Sequence, residues 1–153
     1  MTDSRRYPNR PYLAVSAAIV RDGKVLVVRR ARTPALNLYT LPGGGVEIGE
    51  TLHEAVMREV REETGLDPVG LRDAGITRRF QILPEWRARY APEVAENIEY
   101  LWYLELPDRQ AVKIDPDEHR AYRWLPLDFA IEAAASWTNR EGLERLGGAQ
   151  KKS

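Results

Sequence analysis

Glu59, Glu62 and Glu63 are the residues whose types and spacing most plainly suggest chemistry. They stand at i, i+3 and i+4, so on a helix they share one face. Three carboxylates so close repel one another by roughly a few tenths of a kcal/mol per pair, even when exposed. A bound divalent cation offsets that repulsion, because hard cations prefer carboxylate oxygens. The alternative is a solvated acidic face, with Arg58 and Arg61 interleaved and Arg58 placed to pair with Glu62 one turn on. What precedes the helix favours the metal: a glycine-rich turn, Gly43 to Gly45, and another carboxylate, Glu50.

The helix itself is well framed. Thr51 is a good N-cap with Glu54 three residues on, a capping-box arrangement. Leu52, Ala55, Val56 and Val60 follow helical spacing, and Gly65 suits the left-handed residue that ends a helix. These features predict a helix over Leu52 to Thr64. Tyr12 to Val20 and Lys24 to Arg30 read as antiparallel strands joined through Asp22-Gly23, a strong hairpin signal. Tyr39 to Leu41 is short and extended, and Pro42 with the glycines breaks the pattern. Gly75 to Leu83, Ile98 to Leu106 and Ala121 to Leu125 read as strands, and Leu127 to Ala135 and Asn139 to Leu146 as short helices. Pro84 to Glu96 is a long polar connection, of a kind more often functional than idle. Residues 1–9 and 147–153 are expected to be flexible, and 1–153 to form one α/β domain.

Composition narrows the classes. The chain has 153 residues, with 23 Lys plus Arg against 23 Asp plus Glu. That balance argues against a nucleic-acid binder, which needs a basic excess to neutralise phosphates. With no cysteine, disulfides, thiolate catalysis and cysteine zinc sites are excluded. Met1 to Arg10 is polar and basic, without the apolar core of a signal peptide. No apolar run approaches the ~18 residues of a membrane span. The expectation is a cytoplasmic protein, monomer or homodimer, with no membrane or nucleic-acid partner.

Gly44, five residues, Glu50, seven residues, then Arg58-Glu59-Val60-Arg61-Glu62-Glu63-Thr64-Gly65-Leu66 resembles the Nudix box at every position. Seven fixed identities and two apolar positions arise by chance on the order of once in 10⁹ starting points. The resemblance implies an α/β/α sandwich with a mixed sheet, the box forming a loop–helix–loop. It also implies a Mg²⁺-dependent hydrolase (Mn²⁺ as an alternative) that cuts a phosphoanhydride bond. Glu59 and Glu63 are then the main metal ligands, with Glu62 joining directly or through water. Arg58 holds a glutamate in its ligand orientation. Glu47 and Glu50 supply further ligands or position the box, and Gly43 and Gly44 let the backbone turn tightly beside the metal.

The later half resembles dihydroneopterin triphosphate pyrophosphatases, also called dATP pyrophosphohydrolases. The pieces are Arg89-Tyr90-Ala91-Pro92, Asn97 with Glu99, Leu106-Pro107, Glu118-His119, Ala121-Tyr122, Trp124-Leu125 and Ser136 to Arg140. That likeness implies release of pyrophosphate from dihydroneopterin triphosphate or a purine nucleoside triphosphate, leaving the monophosphate. It makes Glu118 a third metal ligand beside Glu59 and Glu63. It makes Arg29 and Phe80, Gln81, Ile82 and Leu83 substrate contacts, with Ser136 near. Glu118 sits before a strand, where it could reach the metals or take a proton from water; the bland reading is a surface acid.

Of Arg29 and Arg30, strand alternation turns only one toward a phosphate, and Arg29 is the choice. Phe80 and Trp86 could stack on a ring, with core packing equally open for Phe80. Trp124 and Trp137 are read as structural, and His119 as more often without a catalytic role. The rival functions are hydrolysis of another nucleoside diphosphate derivative such as ADP-ribose, and a non-catalytic nucleotide-sensing domain.

Overall fold

A computed structural model describes residues 12–32, 36–82, 84, 96–108 and 110–151. Its centre is a mixed seven-stranded sheet. β1 (Tyr12–Arg21) and β2 (Lys24–Arg30) form the expected antiparallel hairpin. Asp22 and Gly23 both take positive φ, 51° and 73°, as a two-residue turn matched to strand twist requires. β3 (Tyr39–Thr40) pairs with β2, and β4 (Gly43–Gly45) with β1. β5 (Arg72–Gln81) and β6 (Glu96–Glu105) are antiparallel neighbours, while β6 runs parallel to β1. β7 (His119–Pro126) closes against β2.

Helices cover both faces. Ala17, Ile19, Leu26 and Leu104 pack against Ala55, Val56 and Val60 of α1 (Leu52–Thr64). Ala18, Val25, Val27, Leu101 and Tyr103 pack against Ala130 of α2 (Leu127–Ala133) and Leu143 and Leu146 of α3 (Trp137–Lys151). Successive side chains of a strand point to opposite faces, so the apolar run of β1 fills both layers. The result is an α/β/α sandwich.

Three expectations change. The glycines at 43–45, expected to break the pattern, form β4. A Cβ on Gly43 would strike the Val15 carbonyl, so glycine serves close strand approach there rather than a turn. β5 begins three residues before Gly75, whose φ of 71° accommodates the register shift between Asp73 and Ile76. The flexible tail expected from residue 147 is helical through Lys151. Gly147 lies against Leu127, whose Cδ2 is 2.7 Å from where a Cβ would stand, so glycine suits that close approach. Leu83, Trp86 and Arg89 to Pro92 lie outside the described residues.

Candidate active site

α1 presents its acidic face where β4 passes the sheet. Its start is fixed by the capping box: Thr51 Oγ1 accepts from the Glu54 N–H at 3.0 Å, and Glu54 Oε1 from the Thr51 N–H at 2.9 Å. Its end is fixed by Gly65, left-handed at φ 69°. Between these caps the three glutamates part company. Glu59 and Glu63 are half-buried, each with 13% of the side chain exposed, whereas Glu62 is 59% exposed.

β4 meets the two inner carboxylates directly. The Gly43 N–H donates to Glu63 Oε2 at 2.6 Å. A Cβ on Gly44 would come within 2.5 Å of Glu59 Oε1, so only glycine lets that carboxylate lie against the strand. Arg58 ties the region together. It donates to Glu50 Oε2 (Nε, 2.7 Å) and Oε1 (Nη2, 3.0 Å), to Glu59 Oε1 (Nη1, 2.8 Å) and to the Gly45 carbonyl (Nη2, 2.9 Å). Its contact with Glu62 is the longest hydrogen bond it makes, 3.4 Å, so the i,i+4 pair is not its main task.

The electrostatics sort the acids. Hydrogen bonding from Arg58 holds Glu50 below its ordinary pKa. Burial lifts Glu63 well above the usual carboxylate range, and the Glu59 charge adds to the rise against the opposing Gly43 N–H. Burial also raises Glu59, with Arg58 opposing. Two adjacent carboxylates largely kept from water, both raised despite Arg58 beside Glu59 and the Arg30 charge acting on Glu63, suit a divalent cation. Among the described residues no three His, Asp or Glu side chains already form a cage. A donor set of two carboxylates beside an open cleft fits Mg²⁺, which keeps several waters and takes substrate phosphate oxygens.

Glu63 opens into a cleft of about 490 Å³ that also takes in Gly43, Gly44, Arg30 and His119. Phe80, Ile82, Trp137 and Ser136 line it as well. Phe80 and Trp137 meet edge to face, centroids 5.6 Å apart. Gln81, next along β5, is exposed and is not part of the lining, as alternation requires. Glu118 is 46% exposed and stands 3.8 Å from Arg32 Nε. It is close enough for its charge to add to the rise at Glu63.

Arg30, not Arg29, faces the cleft. It shares its strand face with Leu26, the side turned to α1, and its charge acts on Glu63. Arg29 lies on the opposite face, its Nε buried without a hydrogen bond. Alternation was the right rule, but the sequence offers no mark of which face meets the acids.

Sequence reasoning also undervalued His119 and gave Glu99, Thr138 and Asn139 no role. His119 is 3% exposed, with Nε2 3.6 Å from Glu63 Oε1, and burial lowers its pKa. Glu99 lines the cleft beside Thr138 and Asn139. The available signal was a charged residue in the otherwise apolar run Ile98 to Leu104. Trp137, read as structural, is 39% exposed at the cleft.

Known proteins resemble this chain in sequence and fold. The chain is 36% identical over 142 residues to the dihydroneopterin triphosphate diphosphatase of Escherichia coli K12, covering 90% of this chain and 92% of the relative. The solved structure of the E. coli dihydroneopterin triphosphate pyrophosphohydrolase superposes with a TM-score of 0.79 at 34% identity, over 89% of this chain and 97% of that one. A shorter stretch is 50% identical over 58 residues to the ADP-ribose pyrophosphatase of Methanocaldococcus jannaschii, 38% of this chain and 34% of the relative. The family description of the NUDIX domain matches residues 10–146, and the chain is a member of the Nudix hydrolase family.

Proposed function

We propose that the chain is a Mg²⁺-dependent pyrophosphohydrolase acting on dihydroneopterin triphosphate or a purine (deoxy)nucleoside triphosphate, releasing pyrophosphate and the monophosphate. The observation that carries this reading is one cleft joining Glu63 and Arg30 to the aromatic pair Phe80 and Trp137. Such a cleft suits a ligand with a phosphate chain at one end and a flat ring at the other. The 36% identical relative, named for a pterin triphosphate, spans nearly the whole chain.

Glu59 and Glu63 would hold the cation, and Glu62 and Glu118 would contribute through water. Bound there, Mg²⁺ (or Mn²⁺) polarises a phosphoryl oxygen and favours attack by water. Arg58 holds Glu59 in place, and the Gly43 N–H holds Glu63. Arg30 offsets phosphate charge. Phe80, Ile82 and Ser136 meet the ring, a task the sequence also gave to Gln81 and Leu83. A triphosphate substrate of this kind belongs with the cytoplasmic location expected from the sequence. Among the described residues no helix is long and apolar enough to cross a membrane.

The test is a panel of triphosphates and ADP-ribose with Mg²⁺, following pyrophosphate release. Turnover of ADP-ribose to AMP and ribose phosphate, with no triphosphate cleaved, would refute the reading. The relative from M. jannaschii favours that outcome, but its likeness covers little over a third of the chain.

A further inference from the structure

Away from α1, the cleft wall carries a hydrogen-bond network whose polarity can be read bond by bond. Its centre is Glu99 on β6. Thr138 Oγ1 donates to Glu99 Oε2 at 2.9 Å, and Asn139 Nδ2 donates to Oε1 at 3.2 Å. The buried Arg78 guanidinium lies 3.3 Å from Oε1. Paired with that cation, Glu99 is a carboxylate and only accepts.

The directions of the other bonds follow. The single hydroxyl hydrogen of Thr138 is committed to Glu99. In the 2.5 Å contact between Ser136 Oγ and Thr138 Oγ1, Ser136 must therefore be the donor. Ser136 Oγ in turn accepts from the Asn139 N–H at 3.1 Å. Asn139 Oδ1 accepts from the Thr40 hydroxyl at 2.9 Å and the Leu41 N–H at 3.1 Å, which fixes its amide with Nδ2 toward Glu99. The Ser136 hydroxyl, the Thr138 hydroxyl and one Asn139 Nδ2 hydrogen are thus all spent within the network, the last two on Glu99.

At Glu99 and Ser136, what remains for a ligand is lone pairs. Glu99 Oε1 takes the Asn139 bond and lies within ion-pair distance of Arg78, and Oε2 has one donor and room for another. Ser136 Oγ likewise keeps one lone pair. Both oxygens are one hydrogen bond from the same Thr138 oxygen, so they are neighbours, and Glu99 and Ser136 line the cleft with Phe80 and Trp137.

We propose that Glu99 Oε2 and Ser136 Oγ accept the two hydrogens of an exocyclic amino group on the ligand's ring. The cleft then selects amino-substituted rings, the 2-amino of a pterin or guanine or the 6-amino of adenine, over rings of the same shape without one. An oxo oxygen at that position turns lone pairs onto lone pairs, and its absence leaves two acceptors unmet. Arg78 is a positioning residue: lodged against Gly142, where a Cβ would strike its guanidinium, it holds Glu99 from behind.

This inference rests on the reading that a ring-bearing phosphate ligand occupies the cleft. Its test uses hypoxanthine, a purine without an amino group. With Mg²⁺, kcat/KM for dITP is expected to fall at least tenfold below both dATP and dGTP. Without metal, calorimetry is expected to show dAMP and dGMP binding at least tenfold tighter than dIMP. Ser136→Ala should lower kcat/KM for dATP and dGTP several-fold more than for dITP, narrowing the preference, whereas a purely structural defect lowers all three alike. Glu99→Gln should erase the preference, and Ser136→Ala covers the case in which an unpaired Arg78 prevents folding. If triphosphates are cleaved but dITP and dIMP match their amino counterparts, the inference is overturned and the hydrolase reading stands. If no triphosphate is cleaved but dAMP and dGMP still outbind dIMP, the inference stands and the triphosphate reading falls.

Discussion

Glu59 and Glu63 come from adjacent turns of one helix, and burial raises both pKa values despite Arg58 beside Glu59 and the Arg30 charge near Glu63. Glu99, on the far wall of the same cleft, has the buried Arg78 at 3.3 Å and two hydrogen bonds from α3. Both regions bring carboxylates to one cavity, yet one leaves negative charge to be met by a cation and the other cancels it internally. A carboxylate with surplus charge suits a divalent cation; a neutralised one offers lone pairs to a neutral N–H. The partners around each acid, more than the acid, decide what it binds.

Removing the surplus charge is the sharpest way to break that contrast. Glu63→Gln keeps the shape and an acceptor for the Gly43 N–H but deletes a charge. Steady-state turnover with Mg²⁺ should fall about a thousandfold, the scale of several kcal/mol of lost charge stabilisation. The same variant, stripped of metal, should melt higher than the metal-free wild type, because a poorly solvated charge has gone. Unchanged turnover would remove Glu63 from the metal site. A lower melting temperature would show that its charge is already compensated.

Gly44→Ala tests whether the carboxylates are placed by β4. The new methyl would stand 2.5 Å from Glu59 Oε1, the far end of a flexible side chain. Glu59 must swing away while the fold persists. The Mg²⁺ concentration for half-maximal rate should rise about 10- to 100-fold, as when a residue that orients a ligand is lost. The dATP to dITP ratio, set on the far wall, should hold. A collapse of both together would mean the two regions are not separable.

How much of this was legible in the sequence follows the same division. The α1 end was readable because its chemistry is local: Glu59 and Glu63 are four apart, and Thr51, Glu54 and Gly65 declare the helix that aligns them. The Glu99 end was not, because its partners are 39 and 40 residues away in sequence and meet only when α3 docks on the sheet. Arg30 was missed for a smaller reason. Alternation divides Arg29 from Arg30 correctly, but which face meets α1 depends on how β2 is covered. The glycines of β4 looked like a turn because glycine serves close approach and tight turning alike.

The surplus charge also makes metal-free stability depend on pH. Glu63 and Glu59 have folded-state pKa values above their ordinary 4.5. A raised folded pKa gives stability that is fully present below about 4.5 and is lost as pH climbs through the folded value. In EDTA the melting temperature should therefore fall from pH 5 toward neutrality on account of these two groups. Saturating Mg²⁺ should raise it by several degrees at pH 7.5, since binding only the folded state stabilises it, and by less at pH 5, where protons compete. An equal Mg²⁺ increment at both values would show that the carboxylates are charged throughout. Glu63→Gln should flatten the difference, whereas Ser136→Ala should leave it.

The smallest effect separates the scaffold from the chemistry it holds. Thr51→Ala removes the hydroxyl that accepts the Glu54 N–H at an exposed position, and the loss of such a cap costs about 1 kcal/mol. For a chain of this length that lowers the melting temperature by about 2–4 °C. The acids of α1 lie more than a turn beyond the cap, and Arg58 with β4 still holds them. Turnover at saturating Mg²⁺ should therefore stay within about twofold of wild type, and the dATP to dITP ratio should not move. A large loss of turnover from this single exposed hydroxyl would show that the α1 end depends on the exact pitch of its first turn, and that its carboxylates are held less firmly than Arg58 and Gly43 suggest.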